Sequence, residues 1–490
     1  MRIIYDIDPQ YLVLNTSRQV SKCGRNSSIW ALSDGTKKLV KDLIPGDELL
    51  SFDIETQKII TNKIKYVEDN GLQSIYKIKT RTGKIAEVTG EHPFWTLFPQ
   101  WTEAKDLKVG DLIGISKNNE VTRPTEKTVP NHEYIILSHL LMEGGLSTET
   151  VCYTNSEKEN SDELSKAIQL FDKNIELVNT SGDGVQYRVR IKKDQKPAKN
   201  TLKRWLETLH LMGKKSDTKF LPSLFYKLTK KQICDALRIT WNTDGYVSTA
   251  SDKYLPEIGI ALISKELIDG ISDLLLRIGI HNSKSVQHPE IYKDTNKSVY
   301  KLRIEGADAV ERFYQLVHTR KLKAYKKVEQ NNNRLVVPKK ALQPHFNKLK
   351  KEHSHNYCNQ NNTRHKQGFV QWSLPYDITY SKLKNFNELF HDEYLQTILD
   401  ADVIYDRITE IEILPPEPTT SIQMEDPHNT FLIDNIVTHN STFLSIRSLA
   451  NSLIMPQAYP KFSGGFKTLY VAPTVEQVRL FSHERVSPVI

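Results

Sequence analysis

Cysteine is scarce. Cys23, Cys152, Cys234 and Cys358 are the whole complement in 490 residues, and their wide spacing argues against a disulfide framework and fits a reducing cytoplasm. Any cysteine with a role is therefore expected to act as a thiol. Long apolar runs are also missing: no stretch approaches the roughly 18 residues of a membrane span, and no leader-like segment opens the chain, so neither export nor insertion is expected. Strong charge bias is absent too. A net charge of +8 with 26% charged residues is compatible with nucleic acid but unlike a tail that merely coats it. The length leaves room for about three domains of roughly 100 to 200 residues.

What is present is organised around a motif in two pieces. Thr16-Ser17-Arg18-Gln19-Val20-Ser21-Lys22 near the start and Ser441-Thr442 near the end join to read T-S-R-Q-V-S-K-S-T. That is a phosphate-binding loop: a backbone turn with Ser17, Arg18 and Gln19 cradles phosphates, Lys22 meets their charge, and Ser441 with Thr442 offers hydroxyls, one of them to Mg²⁺. The interruption begins with Cys23 and ends with His439-Asn440, directly before Ser441. A thiol at one boundary can attack the preceding carbonyl, and a hydroxyl at the other can capture the acyl group. An Asn440 side-chain amide closing on its own carbonyl would then free the interval, with His439 placed to act on the leaving amide.

Along the chain, Tyr11-Leu12-Val13-Leu14 reads as a buried strand feeding the loop, and its helix resumes only after residue 440, with Phe443, Leu444, Ile446, Leu449 and Leu453 on a 3.6-residue period. Residues 23–117 are short strand-like runs split by turns, and 396–440 look alike, with Ile408 to Ile413 alternating cleanly. These two segments are expected to form one all-β domain holding an insertion. Within the insertion, Leu137 to Gly145 and Leu237 to Gly245 are apolar helices that each stop at an acid and glycine, 100 residues apart. Residues 331–384 carry 10 Lys and Arg against 2 Asp and Glu, a composition suited to DNA phosphates or to a solvated face.

Cys23, Thr89-Gly90-Glu91-His92 and Ile436-Val437-Thr438-His439-Asn440-Ser441 resemble the splicing blocks of an intein. The resemblance implies a horseshoe-like β fold shared with hedgehog autoprocessing domains. It makes His92, with its companion Thr89, the group that destabilises the first scissile bond, His439 the penultimate histidine and Asn440 the cyclising residue. Glu425 to Phe431 resembles the preceding block, so His428 is a second helper, while Ser421 stands where the family often has an acid. Any one of these motifs alone is common. Their conjunction with a restored phosphate loop is what decides.

The paired helices resemble those of LAGLIDADG homing endonucleases, which implies double-stranded DNA as substrate and Mg²⁺ held by the acids Asp244 and Glu143, with Lys219 functional. In the 100-residue register Gly144 occupies the acid position and Glu143 falls one residue early, about 100° around a helix. The joined flanks, 72 residues in all, resemble the start of a phage terminase large subunit ATPase, with a helicase as the rival host. The expected fold is multidomain: a terminase-like fragment of an α/β P-loop ATPase at 1–22 and 441–490, an all-β splicing domain at 23–117 and 396–440, an α+β endonuclease at 118–330 and a basic segment at 331–395. Expected cofactors are Mg²⁺ for the nuclease, ATP with Mg²⁺ for the ligated host and none for splicing. Expected partners are the intein-less host gene and phage packaging proteins, with no membrane. The competing readings are a splicing intein with an inactive nuclease, and an ATPase carrying a permanent regulatory insertion.

Overall fold

A computed structural model describes residues 23–439, apart from 25–27, 32–35, 98–99, 121–128, 147–149, 183, 194–199, 249–254, 289–296, 323–334, 361–376 and 426. The host flanks, and with them Ser17, Arg18, Gln19, Lys22, Asn440, Ser441 and Thr442, lie outside the described residues. The first strands are β1 (Cys23–Gly24), β2 (Lys58–Thr80), β3 (Ile85–Val88), β4 (Pro93–Trp95) and β5 (Leu112–Ser116).

The middle of the chain repeats one plan. Helix α1 (Asn131–Glu143) leads into β6 (Gly144–Gly145), and helix α2 (Lys230–Thr243) into β7 (Gly245–Ser248). Each opening strand edges a four-stranded antiparallel sheet whose strands stand in the order first, second, fourth, third. The second unit continues through α3 (Lys265–Arg277) and β8 (Asn282–Gln287). Both helices bury nearly all their apolar residues in one shared core, among them Leu137, Leu140, Leu141, Ala236, Leu237 and Trp241. The α2 start carries a full capping box between Thr229 and Gln232, which satisfies two donors that a helix start otherwise leaves open.

The structure corrects the repeat distance. A Cβ on Gly144 would meet the Leu140 carbonyl oxygen at 2.4 Å, and one on Gly245 would meet Trp241 at 2.5 Å, in each case the residue four positions earlier. The turn from helix to strand is too tight there for any side chain. Gly144 therefore matches Gly245, the offset is one residue longer than the sequence spacing suggested, and Glu143 aligns with Asp244 without any adjustment of the helix end.

Between the nuclease-like units and the last strands, helices Tyr380–Phe390 and Glu393–Asp400 and the start of a helix from Lys339 bury Leu342, Phe346, Leu383, Phe386, Leu395 and Ile398 against the large sheet. The basic segment is thus packed onto the β domain by its apolar side, with Lys340, Lys350 and Lys384 left exposed. Then come β9 (Val403–Met424), β10 (Thr430–Ile433) and β11 (Ile436–His439), which return to the strands of the first segment. β9 pairs with β2, β1 and β5; β11 pairs with β4 and β5. The result is one sheet of 14 strands among the described residues, drawn from both ends of the interval.

β2 and β9 are far longer than the short runs read from the sequence. Between Lys65 and Ser74 the β2 residues are exposed or half-buried, so this part of the long β2–β9 ribbon carries no apolar signature, although β1 pairs on its β9 side. The ribbon slips register between Leu414 and Glu417, where Pro415 and Pro416 have no N–H to give the ladder. Among the described residues no helix is long and apolar enough to cross a membrane.

Candidate active sites

The first site begins at β1. Cys23 lies between Thr420 of β9 and Val88 of β3, and the strands on either side leave it with no exposed surface. Burial pushes its thiol well above the ordinary range, so the thiolate cannot form unaided. Directly after Val88 the chain turns through Thr89 to His92, closed by a hydrogen bond from the His92 amide to the Thr89 carbonyl at 3.1 Å. Two more bonds pin this turn: the Ala104 amide to the His92 carbonyl at 2.9 Å and the Lys105 amide to the Gly90 carbonyl at 2.9 Å. Thr89 and His92 are both buried, yet the Thr89 hydroxyl and both His92 ring nitrogens have no hydrogen-bond partner among the described residues. Buried polar atoms left open at this density ask for a partner that the described chain does not supply.

The β10–β11 hairpin brings the last piece. Its turn, Asp434-Asn435, has positive φ at both residues (43° and 68°), the pattern of a two-residue hairpin turn that matches strand twist. Thr430 locks β10 in place by accepting from the Phe52 amide at 2.8 Å and donating to the Phe52 carbonyl at 2.7 Å. β11 then ends at His439, paired with Thr430, its ring 4.8 Å from that of Trp101. Burial pulls His92 down to about 3, with the charge of His439 adding to it, and burial pulls His439 to about 4. Both rings are neutral at pH 7, and His439 is close enough for its charge to bear on His92. His428 is within electrostatic reach of Asp53, and its carbonyl accepts from the Asn62 side-chain amide at 2.7 Å. Ser421, beside the Cys23 partner Thr420, is buried and accepts from Asn70 at 2.5 Å.

The second site lies where α1 and α2 end. Glu143 is raised by burial and then by the charge of Asp244; Asp244 is raised by burial against the opposing pull of Lys219 and Lys321. Lys219 is buried and donates to the carbonyls of Leu140 (3.0 Å), Leu141 (2.9 Å) and Gly144 (2.8 Å). Lys321 does the same at the other helix, reaching Thr243 (2.7 Å) and Gly245 (2.8 Å). Each ammonium thus closes carbonyls that a helix end leaves unsatisfied and lies against the negative pole of the helix dipole. Burial lowers Lys219 to about 8. The two carboxyls are left with each other, Asn155 at 3.3 Å from Glu143, and two cations occupied by backbone.

A family model of the intein splicing domain matches residues 30–440. The chain belongs to the intein splicing domain family. Among curated proteins this intein is similar to the replicative DNA helicase DnaB of Synechocystis sp., 24% identical over 452 residues that cover 86% of this chain and 50% of the relative. It is also similar to DnaB of Rhodothermus marinus, 23% identical over 448 residues, with 86% of this chain and 46% of the relative covered. The chain spans about half the length of these curated relatives. Solved structures similar to parts of it include a DnaB intein from Synechocystis sp. (24% identity, TM-score 0.20, 21% of this chain, 74% of that one). Another is a variant of the homing endonuclease I-DmoI (13% identity, TM-score 0.28, 39% of this chain, 98% of that one). At such TM-scores neither likeness bears on the chemistry.

Intein splicing is autocatalytic, so the groups that perform it are the chain's own. Of the residues singled out in the sequence, the structure gathers Cys23, Thr89, His92 and His439 around one end of the sheet, and Glu143, Asp244 and Lys219 at the paired helix ends. Lys321 escaped the sequence reading. Its signal was there: Thr319-Arg320-Lys321-Leu322 echoes Thr218-Lys219-Phe220-Leu221, with threonine and leucine at the repeat offset found at the glycines and lysine displaced by one.

Proposed function

We propose that residues 23–440 excise themselves and join Lys22 to Ser441. In the first step the Cys23 sulfur bonds to the Lys22 carbonyl carbon, the C–N bond breaks, and the freed amine takes up a proton as the thioester forms. Neutral His92, next to Thr89, is placed to act on the scissile amide and destabilise the bond that the thiol attacks. The Ser441 hydroxyl then captures the acyl group and releases the Cys23 thiolate. Asn440 closes on its own carbonyl through its side-chain nitrogen, forming a succinimide and breaking the bond to Ser441, with His439 donating to the leaving amine. Finally the Ser441 amine displaces its own ester oxygen and leaves an ordinary amide. The observation that carries this reading is the buried Cys23 thiol beside the unpartnered Thr89 and His92, with His439 within electrostatic reach. An intact-mass time course under reductant tests it: a piece spanning 23–440 and a ligated remainder are expected, and a chain that stays whole would support a permanent insertion instead.

The insertion fits a double-stranded DNA endonuclease. Two half-buried carboxyls, both raised by burial and Glu143 further by the charge of Asp244, with lysines held off on backbone, form a donor set that a hard divalent cation such as Mg²⁺ would relieve. Bound there, Mg²⁺ would supply an activated water and stabilise charge on the leaving oxygen. Glu143 and Asp244 would hold it, one from each unit, while Lys219 and Lys321 keep the helix ends closed. Cutting of DNA that carries the uninterrupted host sequence, lost in Asp244→Asn, is the test; no cut at all would favour an intein with an inactive nuclease.

For the host, the split T-S-R-Q-V-S-K-S-T loop supports a nucleotide-binding ATPase similar to a terminase large subunit, dependent on ATP with Mg²⁺, acting with phage packaging proteins in the cytoplasm. The helicase relatives match a share of the chain close to that of the intein interval itself, so their similarity carries the intein rather than the host. ATP hydrolysis that appears only after ligation would support this reading.

A further inference from the structure

The nuclease units reach the splicing pocket through the turn of the β10–β11 hairpin. On one side Lys284 of β8 places its ammonium 3.7 Å from Asp434 while bonding Asp269 at 2.6 Å. The other Asp434 contact is the Ile85 amide of β3 at 3.0 Å, so this carboxylate joins the nuclease, the hairpin and the strand next to Cys23. On the opposite side Asn119 donates to the Asn435 side chain at 2.6 Å, and its own amide donates to the Leu276 carbonyl of α3 at 3.0 Å. Asn435 is fully buried, and its carbonyl accepts from the Ser116 amide at 2.8 Å.

Lys284 is itself a rigid post. Its backbone amide donates to the Thr82 carbonyl at 2.8 Å, and a Cβ on Gly83 would meet the Lys284 carbonyl oxygen at 2.4 Å, so the two domains touch backbone to backbone. From Asn435 to the end of β11 is a single four-residue strand, Ile436–His439, and Asn440 is the next residue. Four extended residues span about 13 Å and have no slack to absorb a shift of their turn.

We propose that the nuclease domain positions the C-terminal splice junction: Lys284 and Asn119 grip the Asp434-Asn435 turn from two sides and so set where His439 and Asn440 lie. The inference rests on the splicing reading given above. These residues touch neither junction; they act through the hairpin, as positioning groups. The N-terminal step depends instead on β1, β3 and the Thr89–His92 turn, which Ala104 and Lys105 hold; the Asp434 bond to the Ile85 amide of β3 does not involve the Lys284 or Asn119 side chains, so the two steps respond differently to their loss.

The experiment uses the full chain in two backgrounds. Release of residues 441–490 is timed in Cys23→Ala, and thiol-induced cleavage before Cys23 is timed in Asn440→Ala. Lys284→Ala is expected to slow the first by roughly fivefold, the scale of one partly buried ion pair, and to leave the second within about twofold. Asn119→Ala is expected to act in the same direction, Lys284→Arg to restore the rate, and Lys265→Ala, which removes a different partner of Asp269, to change neither step. Equal slowing of both steps, or no slowing of either, would overturn the positioning role while leaving splicing itself intact. An unmutated precursor that yields no excised 23–440 piece would overturn the splicing reading, and this inference with it.

Discussion

The two sites are built by opposite strategies. At the splicing centre, Cys23 and His439 are separated by nearly the whole interval, and a sheet woven from both chain ends is what brings their neighbourhoods together. At the carboxylate pair, a helix-and-sheet unit is used twice, and the acids meet because the two copies pack their helices side by side. The first arrangement yields unlike groups in unlike surroundings: a thiol kept protonated and two imidazoles kept neutral, all by burial. The second yields like groups in like surroundings, and the like charge of its two carboxyls is the feature a cation could exploit. Chemistry that passes an acyl group from one nucleophile to the next needs the asymmetry. Cutting two strands of a pseudo-symmetric duplex suits the duplication.

The largest expected effect separates the sites completely. Cys23→Ala is expected to abolish ligation while allowing slow release of the flank after Asn440, and Asn440→Ala to stop that release; ligated flanks in either intact-mass spectrum would contradict the assigned roles. Asp244→Asn is expected to remove DNA cleavage and leave the splicing rate unchanged, and a parallel fall in splicing would show that the two sites are not independent. Next, His92→Ala is expected to slow thioester formation by about 10²-fold, the lower end of what a positioned acid–base group contributes, read from thiol-induced cleavage in the Asn440→Ala background.

A smaller effect concerns pH. Burial depresses His92 to about 3 and His439 to about 4, below the ordinary value of a free imidazole. The unfolded chain therefore binds protons that the folded one refuses. Stability is complete above about pH 6.5 and falls as pH drops toward the folded values, by at most about 1.4 kcal/mol per unit for each ring. The gap between urea midpoints at pH 7 and pH 5 is expected to narrow in His92→Gln, with His439 still contributing. Smallest of all, Lys79→Ala on the exposed ribbon breaks a pair with Glu410 at 3.4 Å whose partners are both about half exposed, and a thermal midpoint shift beyond that of roughly 0.5 kcal/mol would be unexpected.

The groups proposed for splicing could be picked out in the sequence because they stand at the boundaries of the interruption: Cys23 opens it, and His439-Asn440 closes it beside Ser441. His92 could be found through its short block. The long β2–β9 ribbon could not, since a strand with solvent on both faces has no apolar alternation to read. In the insertion, the helices and their acids were visible, but the register was misjudged by one residue. Counting glycines along the chain cannot tell which glycine is the tight one; the clash with the preceding helical turn can.

Sequence alone determined which groups stand at the proposed junctions and in what order, because the nucleophile, amide and hydroxyl that flank a junction are covalent structure and owe nothing to folding. It also determined the duplication of the helices, whose apolar periodicity is a local property. Only the tertiary structure decided that Cys23 is sealed from water, that His92 and His439 are neutral neighbours, that Lys321 mirrors Lys219, and that Lys284 of the inserted units reaches the hairpin turn at Asp434. Each of these depends on strands and helices distant in the chain being pressed together, and burial and electrostatic coupling exist only once that packing has excluded solvent.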